Sequence, residues 1–163
     1  RALGERLNRL GRRYCIAMLD VDHFKKFNDK HGHDVGDEVL RMVSAHIDRV
    51  GSGGTAYRYG GEEFCVVFPR KSLDEAAAAL DSVREQISDY RMSIRDRGKR
   101  PARARDGARR RGATRLGSSQ VAVTISAGVA ERSEDYPRPD EVVMVADKML
   151  YRAKKAGRNR VIY

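Results

Sequence analysis

The sequence predicts an α+β fold of the ferredoxin-like or palm type, a mainly antiparallel sheet flanked by helices. Three observations predict it. Short apolar runs of strand character occur at 14–19, 64–68 and 121–129, and the stretches between them repeat their apolar residues at helical spacing. The run at 64–68 is joined to a short arm at 56–58 by a turn that holds Gly60 and Gly61, which reads as a hairpin. Helices and strands alternate along the chain, with no internal repeat.

In chain order, residues 2–10 read as a short amphipathic helix that begins abruptly, as expected of a piece cut from a longer protein. The first strand, 14–19, empties into Asp20-Val21-Asp22. Residues 23–31 are helical with Phe24 and Phe27 on one side, and Asp22 stands where an N-cap is expected. In the second helix Val35, Val39, Met42, Val43, Ile47 and Val50 form an apolar stripe, which Gly51-Ser52-Gly53-Gly54 ends. The second hairpin arm is continuously apolar, the mark of a strand in mid-sheet that is covered on both faces. Leu73, Ala76, Ala77, Leu80, Val83, Ile87 and Tyr90 make a third helical stripe, and 121–129 follows as a strand. Pro139-Asp140 opens a last helix with Val142, Ala146, Met149, Leu150 and Ala153 inward, Gly157 caps it, and 161–163 is a short edge strand.

With 163 residues and 40% of them hydrophobic, the chain has material for one domain spanning 1–163 around one core. Cys15 and Cys65 lie inside apolar runs rather than at framework spacing, so they read as small buried hydrophobes of a reducing compartment, and a cytoplasmic domain is expected. A longer parent protein can still be membrane-anchored. The sequence has no run near the roughly 20 apolar residues of a membrane span. The net charge of +10 is local, because residues 91–115 carry eleven Lys or Arg against Asp96 and Asp106, leaving +1 for the rest. That stretch, broken by Gly98, Pro101, Gly107 and Gly112, reads as a basic surface loop inserted over 91–120, with a contact surface as the alternative. Nucleic acid is not an expected partner, and no membrane contact is expected of the domain itself. There is no P-loop and no dinucleotide-binding glycine pattern, and His31 and His33 have no Cys or third His following at the spacing of a zinc site.

The candidate chemistry gathers at two acidic strand ends. Gly60 and Gly61, free to take positive φ at a tight turn, let a ligand approach the backbone, although Gly-Gly is also an ordinary hairpin connection. Glu62 and Glu63 follow, one for each face of a strand that is otherwise apolar. Asp20 and Asp22 close the first strand, one able to face the site while the other caps a helix, or both capping. Hard carboxylate oxygens from the two strand ends can hold Mg²⁺ against nucleotide phosphates, the outline of a phosphoryl or nucleotidyl transfer site. Lys25 lies in the first turn of the helix, near such phosphates, or is plain surface. Asn28, His33 and Asp37 form a polar set around a helix-to-helix turn; an amide and a carboxylate suit guanine, and capping is the other reading. Lys154 and Arg158, four apart, fall on one face of the last helix, either reaching a polyphosphate or favouring the helix dipole.

These pieces together resemble the GGDEF family, the diguanylate cyclases, with the signature as Gly60-Gly61-Glu62-Glu63-Phe64. The resemblance covers nearly the whole chain. It includes residues 20–29 and 32–37, Arg58-Tyr59, residues 123–129 and 146–154, and Gly157-Arg158-Asn159. It implies a nucleotidyl-cyclase palm that joins two GTP molecules into cyclic di-GMP with release of two pyrophosphates, at a site shared by a homodimer. By the family's pattern Asp20, the Val21 carbonyl and Glu62 hold Mg²⁺ or Mn²⁺, and Glu62, assisted by Glu63, helps deprotonate the attacking hydroxyl. Lys25 steadies phosphate charge, Asn28 and Asp37 read guanine, His33 lies along the nucleotide, and Lys154 and Arg158 take the terminal phosphates. The other reading is a degenerate module that binds GTP or cyclic di-GMP without turnover. The family's Arg-x-x-Asp product-inhibition site falls here on Gly51 and Gly54, so that site is expected to be absent.

Overall fold

Strand β1, Tyr14–Val21, is buried at all eight positions, and its place in the sheet explains why it is apolar almost throughout. In the computed structural model, which describes residues 13–94 and 119–163, β1 is the middle of five strands in the order β2-β3-β1-β6-β7. These are β2 (Thr55–Arg58), β3 (Glu63–Pro69), β6 (Ile125–Glu131) and β7 (Val161–Ile162). All pairings are antiparallel except β6 with β7. Strand β3 is interior, as expected, though beside the centre rather than at it.

Both faces of the sheet are covered. Cys15, Ala17, Leu19 and Val21 of β1, with Phe64, Val66 and Phe68 of β3, pack toward α1 (Phe24–His31), α2 (His33–Ile47) and α3 (Leu73–Asp89). The alternate residues Tyr14, Ile16, Met18, Cys65 and Val67 pack on Val142, Ala146 and Leu150 of α4 (Pro139–Lys155). A Cβ on Gly128 of β6 would strike the α4 backbone at Ala146 and Leu150, so this glycine is what lets α4 lie against the sheet. The helix ends follow local rules. Ser72 and Glu75 make a reciprocal capping box at the start of α3. At the end of α4, Gly157 at φ +113° turns the chain and the Arg158 N–H reaches the Ala153 carbonyl at 2.9 Å, a Schellman closure.

Four expectations need correction. The run at 121–129 is broken: β5 (Ser119–Val121) pairs with β4 (Met92–Ile94) in a separate two-stranded sheet, and β6 begins only at Ile125. Both ends of the expected basic loop are therefore strands, while its middle, 95–118, and the expected helix at 2–10 lie outside the described residues. Gly60 and Gly61 are not a two-residue turn at positive φ. They sit within a four-residue connection, 59–62, closed by the Tyr59 and Gly60 N–H groups on the Glu63 carbonyl at 2.9 and 3.2 Å, and neither takes positive φ. Arg158 is not on α4, because the helix ends at Lys155 and Arg158 follows at φ 62°, so the four-residue spacing to Lys154 is not a shared helical face. Asp22, finally, caps no helix. His23 stands at the α1 N-cap with φ 55°, and no side chain caps that end.

Among the described residues no helix is long and apolar enough to cross a membrane.

Candidate functional site

The site forms where β1, the β2–β3 connection and α4 meet. Asp20 pairs across the ladder with Glu63 on β3 and Ser126 on β6, so its carboxylate lies on the α4 face of the sheet. It is 6% exposed. Lys154 of α4 crosses to form an ion pair with Asp20 Oδ2. Asp20 Oδ1 is buried with no hydrogen-bond partner. A buried carboxylate oxygen left bare is costly, and an added partner such as a cation would offset that cost.

Glu62 is brought to the same corner by backbone contacts. Its carbonyl accepts the Val21 N–H at 3.3 Å, which fastens the connection to the end of β1. Arg58 braces the same turn, donating to the Gly61 carbonyl at 2.6 Å and the Gly60 carbonyl at 3.4 Å. Burial, and then the negative charge of Asp20, hold the Glu62 carboxyl above the ordinary carboxylate range; Lys154 works in the opposite direction and Glu63 in the same one. A Cβ on Gly60 would come 3.0 Å from Glu63 Oε2, whereas one on Gly61 would meet open space. The first glycine thus makes room for Glu63, and the second leaves the turn's outer surface clear.

Two carboxylates and the Val21 carbonyl fit a hard divalent cation, which would satisfy Asp20 Oδ1 and relieve the repulsion felt by Glu62. Among the described residues no three His, Cys, Asp or Glu side chains form a ready metal cage. Magnesium bound by one or two carboxylates with substrate phosphates needs no such cage.

Asp22, two residues beyond Asp20 and also 6% exposed, has a different role. Its Oδ1 accepts from Ser126 Oγ at 2.6 Å, and its Oδ2 from Thr124 Oγ1 at 2.7 Å and the Asn159 N–H at 3.0 Å. Its own N–H donates to the Thr124 carbonyl at 2.9 Å. Asp22 therefore latches the end of β1 to β6 and to the segment after α4. Thr124 and Ser126 were not singled out from the sequence; the available signal was the polar alternation of Thr124 and Ser126 inside an apolar run.

Among the described residues the remaining candidates make no hydrogen bond or ion pair with Asp20, Glu62 or Glu63. Lys25 is exposed on the first turn of α1. Asn28, on α1, turns its buried and unpartnered Oδ1 toward Gly36 of α2, where any Cβ would collide with it. His33 and Asp37 lie exposed on the first turns of α2. Arg158 is partly buried beyond the end of α4. Between Gly51 and Gly54, the positions on which the Arg-x-x-Asp pattern falls, Ser52 and Gly53, both at positive φ, form a tight turn closed by the Gly54 N–H on the Gly51 carbonyl. A Cβ on Gly54 would come 2.7 Å from Phe68 Cε1 and Val50 Cγ1, so packing as well as sequence leaves no aspartate there.

The family model described as "Diguanylate cyclase, GGDEF domain" matches residues 1–104 and 101–160. The chain is 37% identical over 153 residues to diguanylate cyclase VdcA of Vibrio cholerae, covering 93% of this chain and 39% of that protein. It spans well under half the length of the curated relatives it matches. In structure it is similar to the GGDEF domain of DgcB from Caulobacter crescentus, solved in complex with c-di-GMP, with a TM-score of 0.79 and 34% identity over 99% of this chain and 87% of that one. The active GGEEF domain of a diguanylate cyclase from Vibrio cholerae superposes with a TM-score of 0.74 at 26% identity, covering 99% of this chain and 89% of that one.

Proposed function

Since the chain belongs to the GGDEF family, we propose that it is a diguanylate cyclase that condenses two GTP molecules into cyclic di-GMP, two copies of the chain each holding one GTP. The observation that carries this reading is the unpartnered Oδ1 of Asp20 beside a Glu62 whose carboxyl is pushed upward. Asp20, the Val21 carbonyl and Glu62 are the groups to hold Mg²⁺ or Mn²⁺. When bound, the cation neutralises the phosphates and makes the α-phosphorus more electrophilic.

The chain's own residues supply the rest. Glu62 takes the proton from the 3′-hydroxyl, and Glu63 supports it. The 3′-oxygen bonds to the α-phosphorus of the partner's GTP, the bond from that phosphorus to the bridging oxygen breaks, and pyrophosphate leaves with the electron pair. The same exchange in the other direction closes the ring. Lys25 meets charge growing on the phosphates, and Lys154 and Arg158 hold the terminal ones. Asn28 and Asp37 read the guanine edge, with His33 along the nucleotide. The bare Asn28 Oδ1 supports that role, because a base donor would satisfy it.

The test is conversion of GTP with Mg²⁺ by the chain fused to a dimerising coiled coil. Cyclic di-GMP forms, and Glu62→Gln lowers the rate by about 100-fold or more. Tight GTP binding with no product from the dimer, or equal rates for Glu62→Gln, would reject the enzymatic reading.

A further inference from the structure

Helix α1 has two polar sides, and the nucleotide site accounts for only one. At about 100° per residue, Lys25 and Asn28 share one side, while Lys26, Phe27, Lys30 and His31 share the opposite one. That opposite side borders a cavity of about 460 Å³, within the range of small-molecule sites. Arg91, just past the end of α3, lines it, and the connection between β5 and β6 forms another part of its wall. Asp22 also borders it, but both Asp22 oxygens are engaged by Ser126, Thr124 and Asn159. Among the described residues, three permanent cations thus face a single acid whose oxygens are already taken.

Lys26 and Lys30 are exposed, one helical turn apart, and neither has an ion pair or hydrogen bond among the described residues. Like charges at that spacing disfavour the helix unless something between them compensates. Arg91 is held in place by its Nη1 on the Ser88 carbonyl at 2.7 Å. His31 lies against Phe27 with ring centroids 4.6 Å apart and the rings tilted by 43°, which gives the cavity an aromatic wall beside its cations. Positioned cations together with an aromatic surface suit a phosphate-bearing anion.

We propose that this cavity is a second anion site, separate from the GTP site, whose Lys26, Lys30 and Arg91 bind a small molecule carrying two or more phosphate charges. It does not depend on the cyclase reading. Its position gives it a means of control, because Asp22 and His23 border the cavity and directly follow the strand end that carries Asp20.

The test is a titration of the ¹⁵N-labelled chain with inorganic pyrophosphate, and separately with AMP, without divalent cations and in a Lys154→Gln background that weakens the other phosphate contact. Amide shifts at 26–31, 91 and 122–124 are expected, with affinity falling as salt rises. Lys26→Gln and Lys30→Gln should each weaken binding by about tenfold, with an unchanged melting temperature showing that the fold is intact. Stronger binding of pyrophosphate identifies a free polyphosphate as the ligand and stronger binding of AMP a nucleotide; either ranking upholds the site. Shifts confined to 20–25 and 154–158, no shifts at millimolar ligand, or affinities untouched by both lysine variants would overturn it.

Discussion

Asp20 and Asp22 close the same strand, are equally buried, and differ in whether the protein alone satisfies them. Three donors surround Asp22, while Asp20 has one lysine and a bare oxygen. A buried acid whose every oxygen is bonded within the chain holds the fold together. One whose oxygen is left bare is placed for something that binds. The contrast separates scaffold from site within three residues.

The sharpest way to break that contrast is to remove each charge. Asp20→Asn should lower cyclic di-GMP formation by about 10²- to 10³-fold, read by chromatography of the dimerised chain. Its stability without metal should stay within about 1 kcal/mol of wild type, since its only ion pair among the described residues involves a lysine that is partly in solvent. Asp22→Ala should do the reverse. Stranding three donors, it should cost about 3 kcal/mol, seen as a lower urea midpoint at unchanged slope. Equal stability losses for the two variants would dissolve the distinction.

Asn28 extends the comparison to another bare oxygen. Gly36→Ala should displace its side chain and raise the KM for GTP by about tenfold, with kcat less affected. An unchanged KM would separate Asn28 from guanine.

How much of this was legible in the sequence depended on the range of the interaction. The apolar run of β1, the stripes of α3 and α4, and the Gly157 cap follow local rules and stand where the spacing placed them, except that Tyr90, expected in the α3 stripe, lies just past the helix and is exposed. Asp22 looked like a cap because Asp before a helix usually is one. Its actual partners, Thr124, Ser126 and Asn159, are more than a hundred residues away, and no local pattern announces them. The β4–β5 pair escaped for a related reason, since two three-residue strands separated by a long basic stretch carry no periodicity to read. Arg158 was misplaced by one turn of extrapolated helix. The acidic corner itself was legible because carboxylates at the ends of apolar strands have no packing use.

Glu75 supplies the smallest effect and the surface counterpart of Asp22. The Ser72 backbone N–H and then the Lys71 side chain hold its carboxyl down from 4.5 to about 2. The folded value lies below the unfolded one, so its contribution to stability is complete above the ordinary carboxylate range and is lost as pH falls toward about 2. Glu75→Gln should flatten that part of the stability–pH curve and leave neutral-pH activity unchanged. A curve identical to wild type would mean that the capping box contributes no charge effect.

The most direct test of the central claim is Mn²⁺ binding followed by electron paramagnetic resonance, with a non-hydrolysable GTP analogue present. Wild type and an Asp74→Asn surface control should bind the ion alike, whereas Asp20→Asn and Glu62→Gln should each lose that site. Undiminished Mn²⁺ binding by both site variants would contradict a cation shared between the end of β1 and the β2–β3 connection.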